Sequence, residues 1–405
     1  MRGDGKLEYL TSTTLSKDFI FFPDSMNTVT ESFNIAPREE AVQFPTVIAE
    51  AVKMHWEPYE DVMFAEKIEK PLIFYDGISE LHGTAMLRPE GLSGSGVFKF
   101  EKAELSSNLM KYKYMEFDAD TADFKLVDAD SSDQAMFNTR NVNAHVDFNE
   151  RYGQFKSNGG GSYIEFPQNQ YISYMEEFKW FMDTESIALS AGDNKAAETA
   201  DTAEVRLEGA EFKSTHPEQD SLNWYSTLAH YDLKKKIIRA QGVVYINTAD
   251  ARVYPDSGEV IIYRKAKMKT LDNAGVVANS VTKFHNIYNA TINIYGKKSY
   301  GGTGDIDYID ENDQKQKIHL NSIDVDTTGQ TIASGNIESA DGFTLSPHFS
   351  FRGKVILKAN LAYLTFKGGT RIGHECETLK RSWIKFESEI DPKNILIPVD
   401  TSLED

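Results

Sequence analysis

The segment FSFRGKVILKA, residues 349–359, decides the fold because its side chains alternate with a period of two. One face would carry Phe349, Phe351, Gly353, Val355, Leu357 and Ala359, and the other would carry Ser350, Arg352, Lys354, Ile356 and Lys358. Successive side chains of a strand point to opposite sides of its sheet. The pattern therefore predicts a β-strand with one dry face and one mostly wet face.

The same alternation recurs along most of the chain, as in residues 81–96 and 237–263, and little helical periodicity interrupts it. This rhythm predicts an all-β fold of stacked antiparallel sheets or a solenoid, either a β-helix or a β-taco, with few short helices. Asp310–Gln314 separates two apolar runs and is predicted to be a hairpin loop. Tyr171–Met182 fits either a helix or a strand, and its aromatic residues favour a strand.

The pattern divides the chain into three regions. Residues 1–190 form a predicted β-rich repeat region, with one short helix near residues 38–55 that Pro45 would interrupt. Residues 191–203 are small and polar, as expected of an exposed loop or linker. Residues 204–405 form a second predicted β-rich repeat region.

Glycine-rich stretches punctuate these strands. Ser93–Gly96 and Lys298–Asp305 lack the strand–loop–helix context of a phosphate-binding loop, so both are predicted to be turns. Three further triplets, Ala240–Gly242, Asn273–Gly275 and Ala333–Gly335, are interpreted as tight corners near strand ends, where glycine tolerates a positive φ.

Composition excludes several classes of function. The 405 residues include 62 acidic and 43 basic ones, a formal net charge of −19, which argues against non-specific binding to nucleic acid. No stretch of about 18 apolar residues could form a membrane-spanning helix. The single cysteine, Cys376, has no partner for an internal disulfide.

An acidic run, DADTADFKLVDADSSD at residues 118–133, is a candidate calcium-binding segment, because calcium prefers several carboxylate and carbonyl oxygens close together. The run does not match an EF-hand loop, because Ser132 and Asp133 fall where an acidic residue and a glycine are required. Asp118 and Asp120 would share one strand face. We interpret these residues, and the pair Asp324 and Asp326, as solvated edge or turn residues, and whether they bind calcium stays open.

No catalytic signature is recognisable. His216 with Asp220 and His145 with Asp147 are histidine–carboxylate neighbours, yet neither neighbourhood supplies a nucleophile or a metal motif. Cys376, in GHECE, matches no nucleophile motif. The sequence therefore predicts no catalytic residues and no cofactor. The tryptophans Trp180, Trp224 and Trp383, together with tyrosines, could form a sugar-stacking platform or could pack in the core.

Two stretches carry a family resemblance. They are AELSSNLMKYKYMEFDADTADFKL at residues 103–126 and IIRAQGVVYINTADARVYPDSGEVII at residues 237–262. The second resembles the strand–turn–strand repeats of the OstA/LptA-type lipopolysaccharide transport family. The chain is also similar to segments of large envelope proteins of Gram-negative bacteria of the Bacteroidetes type. The resemblance implies a stacked antiparallel taco or jelly-roll with an apolar interior, in the periplasm or at the outer membrane.

Two expectations concern export, and the second depends on this resemblance. The N-terminus MRGDGKLEYL has no apolar run, so we expect the chain to be a piece of a longer protein whose targeting signal lies upstream. Envelope proteins of such bacteria can carry O-glycans at Asp-Ser/Thr triplets. Matching triplets begin at Asp24, Asp120, Asp201, Asp220 and Asp326.

Three hypotheses for function remain. The first is a non-catalytic structural or binding segment of an exported envelope protein, in a lipid- or protein-handling assembly, with neighbouring repeats, other envelope proteins, lipid or glycan as partners. The second is a carbohydrate-active β-helix enzyme, a polysaccharide lyase or hydrolase. The third is a lipid-binding groove. Charged residues converging in a groove beside Trp or Tyr would favour carbohydrate, and an open apolar slot would favour lipid.

Overall fold

A computed structural model describes residues 1–128, 131–192, 209–375, 378 and 382–398, with only the backbone described at residues 131–134. These residues form β-strands and four 3-10 turns, and they contain no α-helix. The predicted all-β class is confirmed. None of the helical turns in this part of the chain has the length and apolar character needed to cross a bilayer.

The first half of the chain contributes eighteen strands. They are β1 (Arg2–Tyr9), β2 (Ser12–Phe21), β3 (Met26–Val29), β4 (Ser32–Ile35), β5 (Val47–Ala49), β6 (Val52–Glu57), β7 (Val62–Lys67), β8 (Leu72–Phe74), β9 (Ser79–Arg88), β10 (Gly91–Phe100), β11 (Ala103–Tyr112), β12 (Glu116–Asp128), β13 (Ser131–Asp147), β14 (Tyr152–Ser157), β15 (Ile164–Phe166), β16 (Tyr171–Ser173), β17 (Glu177–Phe181) and β18 (Ser186–Ser190).

The second half contributes the remaining described strands. They are β19 (Ala210–Ser214), β20 (Asn223–Ser226), β21 (Leu228–Asp232), β22 (Ile237–Gln241), β23 (Ile246–Thr248), β24 (Ala251–Tyr254), β25 (Val260–Ile262), β26 (Leu271–Ala278), β27 (His285–Gly296), β28 (Ser299–Ile309), β29 (Lys315–Val325), β30 (Thr331–Ile337), β31 (Thr344–Ser346), β32 (Phe349–Lys358), β33 (Thr365–Ile372) and β34 (Ile384–Glu389). The 3-10 turns are Tyr75–Gly77, Pro217–Gln219, Asp256–Gly258 and Ser339–Asp341.

The chain folds into two compact units. Unit 1 comprises Met1–Lys195 and Leu228–Ile238, and unit 2 comprises Ala196–Thr227 and Arg239–Asp405. A short segment from the second half of the sequence, containing β21, thus belongs to unit 1, where it pairs with β18. The predicted linker at residues 191–203 lies outside the described residues from Asp193 onward.

Unit 1 contains a closed eight-stranded barrel near its N-terminus. The long strands β2 and β9 each pair with two short strands along one edge. Two branches connect them: β3, β6 and β7 on one side, and β4, β5 and β8 on the other. Each of these ladders is antiparallel. Closure leaves no free edge within the ring.

Long antiparallel strands continue the sheet in both units. In unit 1, β9 to β13 pair in sequence order, and in unit 2, β26 to β30 do the same, followed by β32, β33 and β34. Most of these ladders shift register near the middle of the strand, as between Gly94 and Gly96 of β10. A bulge of this kind bends a strand and increases its twist.

Aromatic side chains fill the interior of each unit. In unit 1, the ring of Phe98 lies within about 5 Å of the rings of Tyr112 and Phe117 (5.1 and 4.9 Å). In unit 2, Phe351 and Phe366 pack edge to face at 5.0 Å. All five side chains are almost completely buried. The predicted apolar interior is therefore a packed core where it is described.

Two strand predictions and one hairpin-loop prediction are confirmed. Phe349–Lys358 is a strand, and Phe351, Val355 and Leu357 of its predicted dry face are buried. Asp310–Gln314 forms the loop of the β28–β29 hairpin, in which Ile309 pairs with Lys315. Tyr171–Met182 contains β16 and β17.

The predicted short helix near residues 38–55 is wrong. The segment contains β5 and the beginning of β6, where Val47, Ala49, Val52 and Met54 are buried with exposed residues between them. Its apolar residues also fit a period of two, and the β-branched valines favour strands.

The interpretation of the glycine-rich stretches as turns is also wrong at most positions. Ser93–Gly96 lies inside β10, and most of Lys298–Asp305 lies inside β28. Gly275 and Gly335 are likewise inside strands, and only Gly242 follows a strand with a positive φ of 73°. At Gly335 a β-carbon would lie 2.2 Å from the carbonyl oxygen of His319. Glycine here permits close approach of two strands.

Candidate functional site

A cleft of about 780 Å³ opens at one rim of the sheet in unit 2. Its walls come from the start of β27, the end of β28, the loop before β33 and the segment after β34. This volume is in the range of small-molecule binding sites. The lining residues used below are Phe284, His285, Tyr288, Asp307, Ile309, Tyr363, Asp391 and Lys393.

One wall presents a tyrosine hydrogen-bonded to a carboxylate. The Tyr288 hydroxyl donates to Asp307 Oδ1 at 2.6 Å, and Lys315 Nζ lies 3.4 Å from Asp307 Oδ2. Asp307 lies between Ile306 and Tyr308, which are buried, so alternation along β28 directs the carboxylate outward. The hydrogen bond to Asp307 raises the pKa of Tyr288 to about 12.

The opposite wall repeats this chemistry. Tyr363 is 40% exposed, and the nearby charge of Asp391 raises the pKa of its hydroxyl. The backbone N–H of Tyr363 donates to Glu389 at 3.3 Å, which ties the loop to the end of β34. Both tyrosines therefore stay protonated near neutral pH, as hydrogen-bond donors beside carboxylate acceptors.

Apolar groups occupy the space between the polar ones. Phe284 is 49% exposed and Ile309 is 43% exposed, although both are large hydrophobic residues. An exposed aromatic ring, an exposed aliphatic side chain and hydroxyl–carboxylate pairs together suit a ligand that has both C–H faces and hydroxyl groups. The cleft can bind such a ligand through ring contacts and several directional hydrogen bonds.

His285 lies at the base of the cleft. It is buried, and one ring nitrogen, Nε2, lies 2.8 Å from the carbonyl oxygen of Leu361, to which it donates. Burial lowers the pKa of His285, although the Leu361 contact and the charge of Glu389 act in the opposite direction. The imidazole is therefore neutral in the folded protein over a wider pH range than in the unfolded chain.

This difference predicts a pH dependence of stability. Below about pH 6.5 the unfolded chain binds a proton at His285 that the folded state takes up only at lower pH, so unit 2 should lose stability as pH falls. Urea unfolding between neutral and mildly acidic pH measures the loss. We expect the dependence to be weaker in His285→Gln and unchanged in His348→Gln, which alters an exposed histidine of unit 2. Equal slopes in all three proteins would contradict the assignment.

The histidine candidates have different surroundings. His145 Nδ1 lies 2.7 Å from Asp118 Oδ1, a pairing between two residues that the sequence singled out separately. His216 Nδ1 accepts a hydrogen bond from the backbone N–H of Glu218 and caps a 3-10 turn. Asp220 forms an ion pair with Lys298. The His216–Asp220 pattern thus belongs to turn structure.

The acidic candidates do not gather into one calcium loop. Asp118 and Asp120 lie on β12, whereas Asp128 is buried and pairs with Lys236. Asp326 caps a turn, and hydrogen bonding from Thr328 is the main cause that lowers the pKa of its carboxyl group. Asp324 accepts from Ser322 at 2.6 Å. The Asp133 side chain and Cys376 lie outside the described residues.

The tryptophans do not form a common platform. Trp180 and Trp224 are buried, and Trp224 stacks on Phe212 at 4.5 Å. Trp383 is half-buried, and the guanidinium groups of Arg352 and Arg371 contact its ring. Of the predicted O-glycan triplets, Asp24, Asp120, Asp220 and Asp326 lie at the surface in turns or on strand β12, and Asp201 is outside the described residues.

Sequence reasoning missed the tyrosine cleft. Tyr288 and Asp307 come from different strands, and the β27–β28 ladder shifts register twice, so their proximity does not follow from spacing. The alternation of each strand was the signal that could have found these residues. Asp307 lies on the wet face of β28, and Tyr288 follows the buried Ile287, so both are at positions expected to face solvent. Tyr363 lies in a connecting loop.

Comparisons with protein-family models, with curated proteins and with solved structures find no match to this chain. The resemblance to the OstA/LptA-type family therefore stays a prediction. Function has to be inferred from the chemistry of the cleft and of the surrounding sheet.

Proposed function

We propose that this chain is a non-catalytic binding segment of an exported envelope protein, and that unit 2 binds a saccharide in the tyrosine cleft. The observation that supports the proposal is the convergence of Tyr288 with Asp307 and of Tyr363 with Asp391 in one open groove. Sugars offer hydroxyl groups to carboxylates and C–H faces to aromatic rings. A purely lipid ligand would leave these carboxylates without hydrogen-bonding partners from the ligand.

The tyrosine chemistry favours binding over cleavage. In a polysaccharide lyase a tyrosine that abstracts a proton needs a pKa near the working pH. The pKa of Tyr288 is raised to about 12, and the pKa of Tyr363 is raised as well. Both hydroxyls thus favour donating a hydrogen bond over accepting a proton. This supports the non-catalytic alternative over a polysaccharide lyase.

The structural part of the proposal rests on the strand edges. Six ladders within β9–β13 and β26–β30 shift register, and bulges of this kind bend strands as a taco-like stack requires. The family resemblance points the same way. Among the described ladders, β1 pairs with β2 and β34 pairs with β33 along one edge each. Neighbouring repeats or other envelope proteins would add strands to the other edges. Periplasmic or outer-membrane localisation is proposed on the resemblance alone.

A binding experiment tests the saccharide proposal. Isothermal titration of the full chain with a panel of neutral and acidic envelope oligosaccharides should identify at least one ligand. Tyr363→Ala should weaken binding of that ligand about fivefold, because an aromatic contact contributes about 1 kcal/mol and a tenfold change corresponds to about 1.4 kcal/mol. Asp307→Asn should weaken it by at least as much, since hydrogen bonds to charged groups are stronger.

A matched control separates the cleft from general surface effects. Tyr295 is 59% exposed, lies in unit 2 on β27 and does not line the cleft, so Tyr295→Ala should leave the affinity unchanged. The same mixtures should yield no new reducing ends and no unsaturated products. Cleavage products would favour the enzyme instead, and equal effects of Tyr295→Ala and Tyr363→Ala would place the ligand elsewhere.

A further inference from the structure

We propose that Glu116, His145 and Asp147 of unit 1 bind a divalent transition-metal ion of the zinc class, with Asp118 as a positioning residue. The acidic run at residues 118–133 and the His145–Asp147 pattern in the sequence each lack at least one of these residues. The site lies on the outward face of the β12–β13 ladder, in unit 1, and does not depend on the saccharide proposal.

Strand register brings the four side chains together. In the antiparallel ladder of β12 and β13, Glu116 is opposite Asp147, and Asp118 is opposite His145. Residues two apart on a strand share a face, so all four side chains are on one side of the sheet. The intervening residues Phe117, Val146 and Phe148 are buried on the other side. A packed core thus holds the backbone beneath the site.

Each proposed ligand has one polar atom held by a hydrogen bond. His145 Nδ1 donates to Asp118 Oδ1 at 2.7 Å, and Glu116 Oε1 accepts from Lys113 Nζ at 2.6 Å. Asp147 Oδ1 accepts from the backbone N–H groups of Asn149 and Glu150 at 2.8 and 2.9 Å. These contacts orient the side chains. Each of the three residues keeps a second nitrogen or oxygen atom that could bind a metal ion. A carboxylate on the far nitrogen of a ligating histidine is typical of metal sites.

Metal-ligating atoms of the three residues converge. His145 Nε2 lies 3.9 Å from Glu116 Oε2, and one donor atom each from Glu116, His145 and Asp147 lies within 4.8 Å of the other two. Ligand atoms in a tetrahedral site with bonds of about 2.1 Å lie about 3.4 Å apart. Movement of the ligand atoms by up to about 1.4 Å closes the difference between 4.8 Å and this spacing, and all three residues are half-buried.

The chemistry of the ligating atoms determines which class of metal ion the site would bind. Imidazole nitrogen with carboxylate oxygens suits zinc and its first-row neighbours, whereas calcium and magnesium prefer oxygen ligands alone. Three protein ligands leave a fourth position open to water or to another group. Three carboxylates, with Asp118 included, lie beside two ammonium groups: Lys113 pairs with Glu116 and Asp118, and Lys111 is opposite Asp118 in the β11–β12 ladder. The excess negative charge favours a dication at this place.

Zinc titration of the full chain tests the proposal. Isothermal titration with ZnCl₂ should show one site per chain, and Ca²⁺ should not compete for it. His145→Gln and Asp147→Asn should each abolish this site, and Asp118→Asn should weaken it about tenfold to a hundredfold, as expected for a residue that orients a ligand. Zinc should also raise the unfolding temperature of the wild type and have no such effect on His145→Gln.

The chain contains a matched control for a non-specific histidine effect. His319 Nδ1 lies 2.8 Å from Asp305 Oδ1, so it has the same carboxylate contact as His145, but among the described residues it belongs to no group of three converging ligands. His319→Gln should leave zinc affinity unchanged. Loss of the site in His319→Gln, retention of zinc by both His145→Gln and Asp147→Asn, or tighter binding of Ca²⁺ than of Zn²⁺ would each overturn the proposal.

Discussion

Asp128→Ala should destabilise unit 1 by about 3–5 kcal/mol, the cost of leaving a buried charge without its partner. Asp128 at the end of β12 and Lys236 after β21 form an ion pair whose side chains are only 10% and 11% exposed. Gln168 Nε2 also donates to Asp128 at 3.3 Å, and Asn169 Nδ2 donates to the carbonyl oxygen of Lys236 at 2.9 Å. The pair therefore ties the segment Leu228–Ile238 to strands far away in sequence.

An exposed ion pair of the same unit provides the comparison. Lys70 and Glu50 are 2.6 Å apart, and both side chains are 69% exposed. Glu50→Ala should cost no more than about 1 kcal/mol, because solvent screens such pairs. The double variant Asp128→Leu with Lys236→Met should recover most of the lost stability, since apolar replacement of both partners removes the buried charges.

Urea unfolding and amide hydrogen exchange measure the effect. Exchange should accelerate first in β21, because its attachment to unit 1 depends on the pair and on the β18–β21 ladder. A loss in Asp128→Ala no larger than that in Glu50→Ala would show that the pair is unimportant. Failure of the double variant to recover would assign the loss to packing instead of charge.

Alternation of side chains was enough to predict the class of the fold. Residues 349–359 and the loop at residues 310–314 form as predicted, because period two and turn residues act locally. The helix near residues 38–55 fails because the local pattern there is ambiguous. Val47 and Val52 fit both periods, and the pairing of β5 with β4 and of β6 with β3 decided between them.

The candidate sites depend on non-local register, which spacing does not contain. His145 and Asp118 were both singled out in the sequence, yet their pairing depends on shifts in the register of the β12–β13 ladder, one of them between Ala119 and Ala122. Glu116 had no distinguishing feature until that ladder placed it opposite Asp147. In the tyrosine cleft, a loop contributes Tyr363, and loop conformation is still less determined by periodicity.

Glycine positions show the same limit. Glycines at strand ends and glycines at bends look alike in sequence, because both interrupt an apolar alternation. The structure distinguishes the two kinds of glycine by the atoms that would surround a β-carbon added at each position. At Gly368 of β33 a β-carbon would lie 2.2 Å from the carbonyl oxygen of Arg352 and 2.8 Å from the Cα atom of Gly353. Gly353 is opposite Gly368 in the ladder.

Gly368→Ala should therefore destabilise unit 2 by about 2–3 kcal/mol, the range expected when added atoms force a packed backbone to shift. Both close neighbours are backbone atoms, so no side chain can rotate away. Gly353 has a φ of +137°, a conformation that alanine rarely adopts, so Gly353→Ala should cost at least as much. Urea unfolding followed by tryptophan fluorescence measures both variants.

Gly275→Ala is the matched control, because Gly275 lies inside β26 of the same unit without a positive φ. Its added β-carbon would contact only the β-carbon of Tyr254, at an ordinary 3.7 Å. We expect no loss, or a gain of about 0.4–1 kcal/mol from reduced freedom of the unfolded chain. Equal effects at Gly275 and Gly368 would contradict close strand approach as the reason for glycine. A loss confined to Gly353 and Gly368 would show that the close approach of β32 and β33 requires glycine at both positions, because a β-carbon at either one would collide with the backbone of the neighbouring strand.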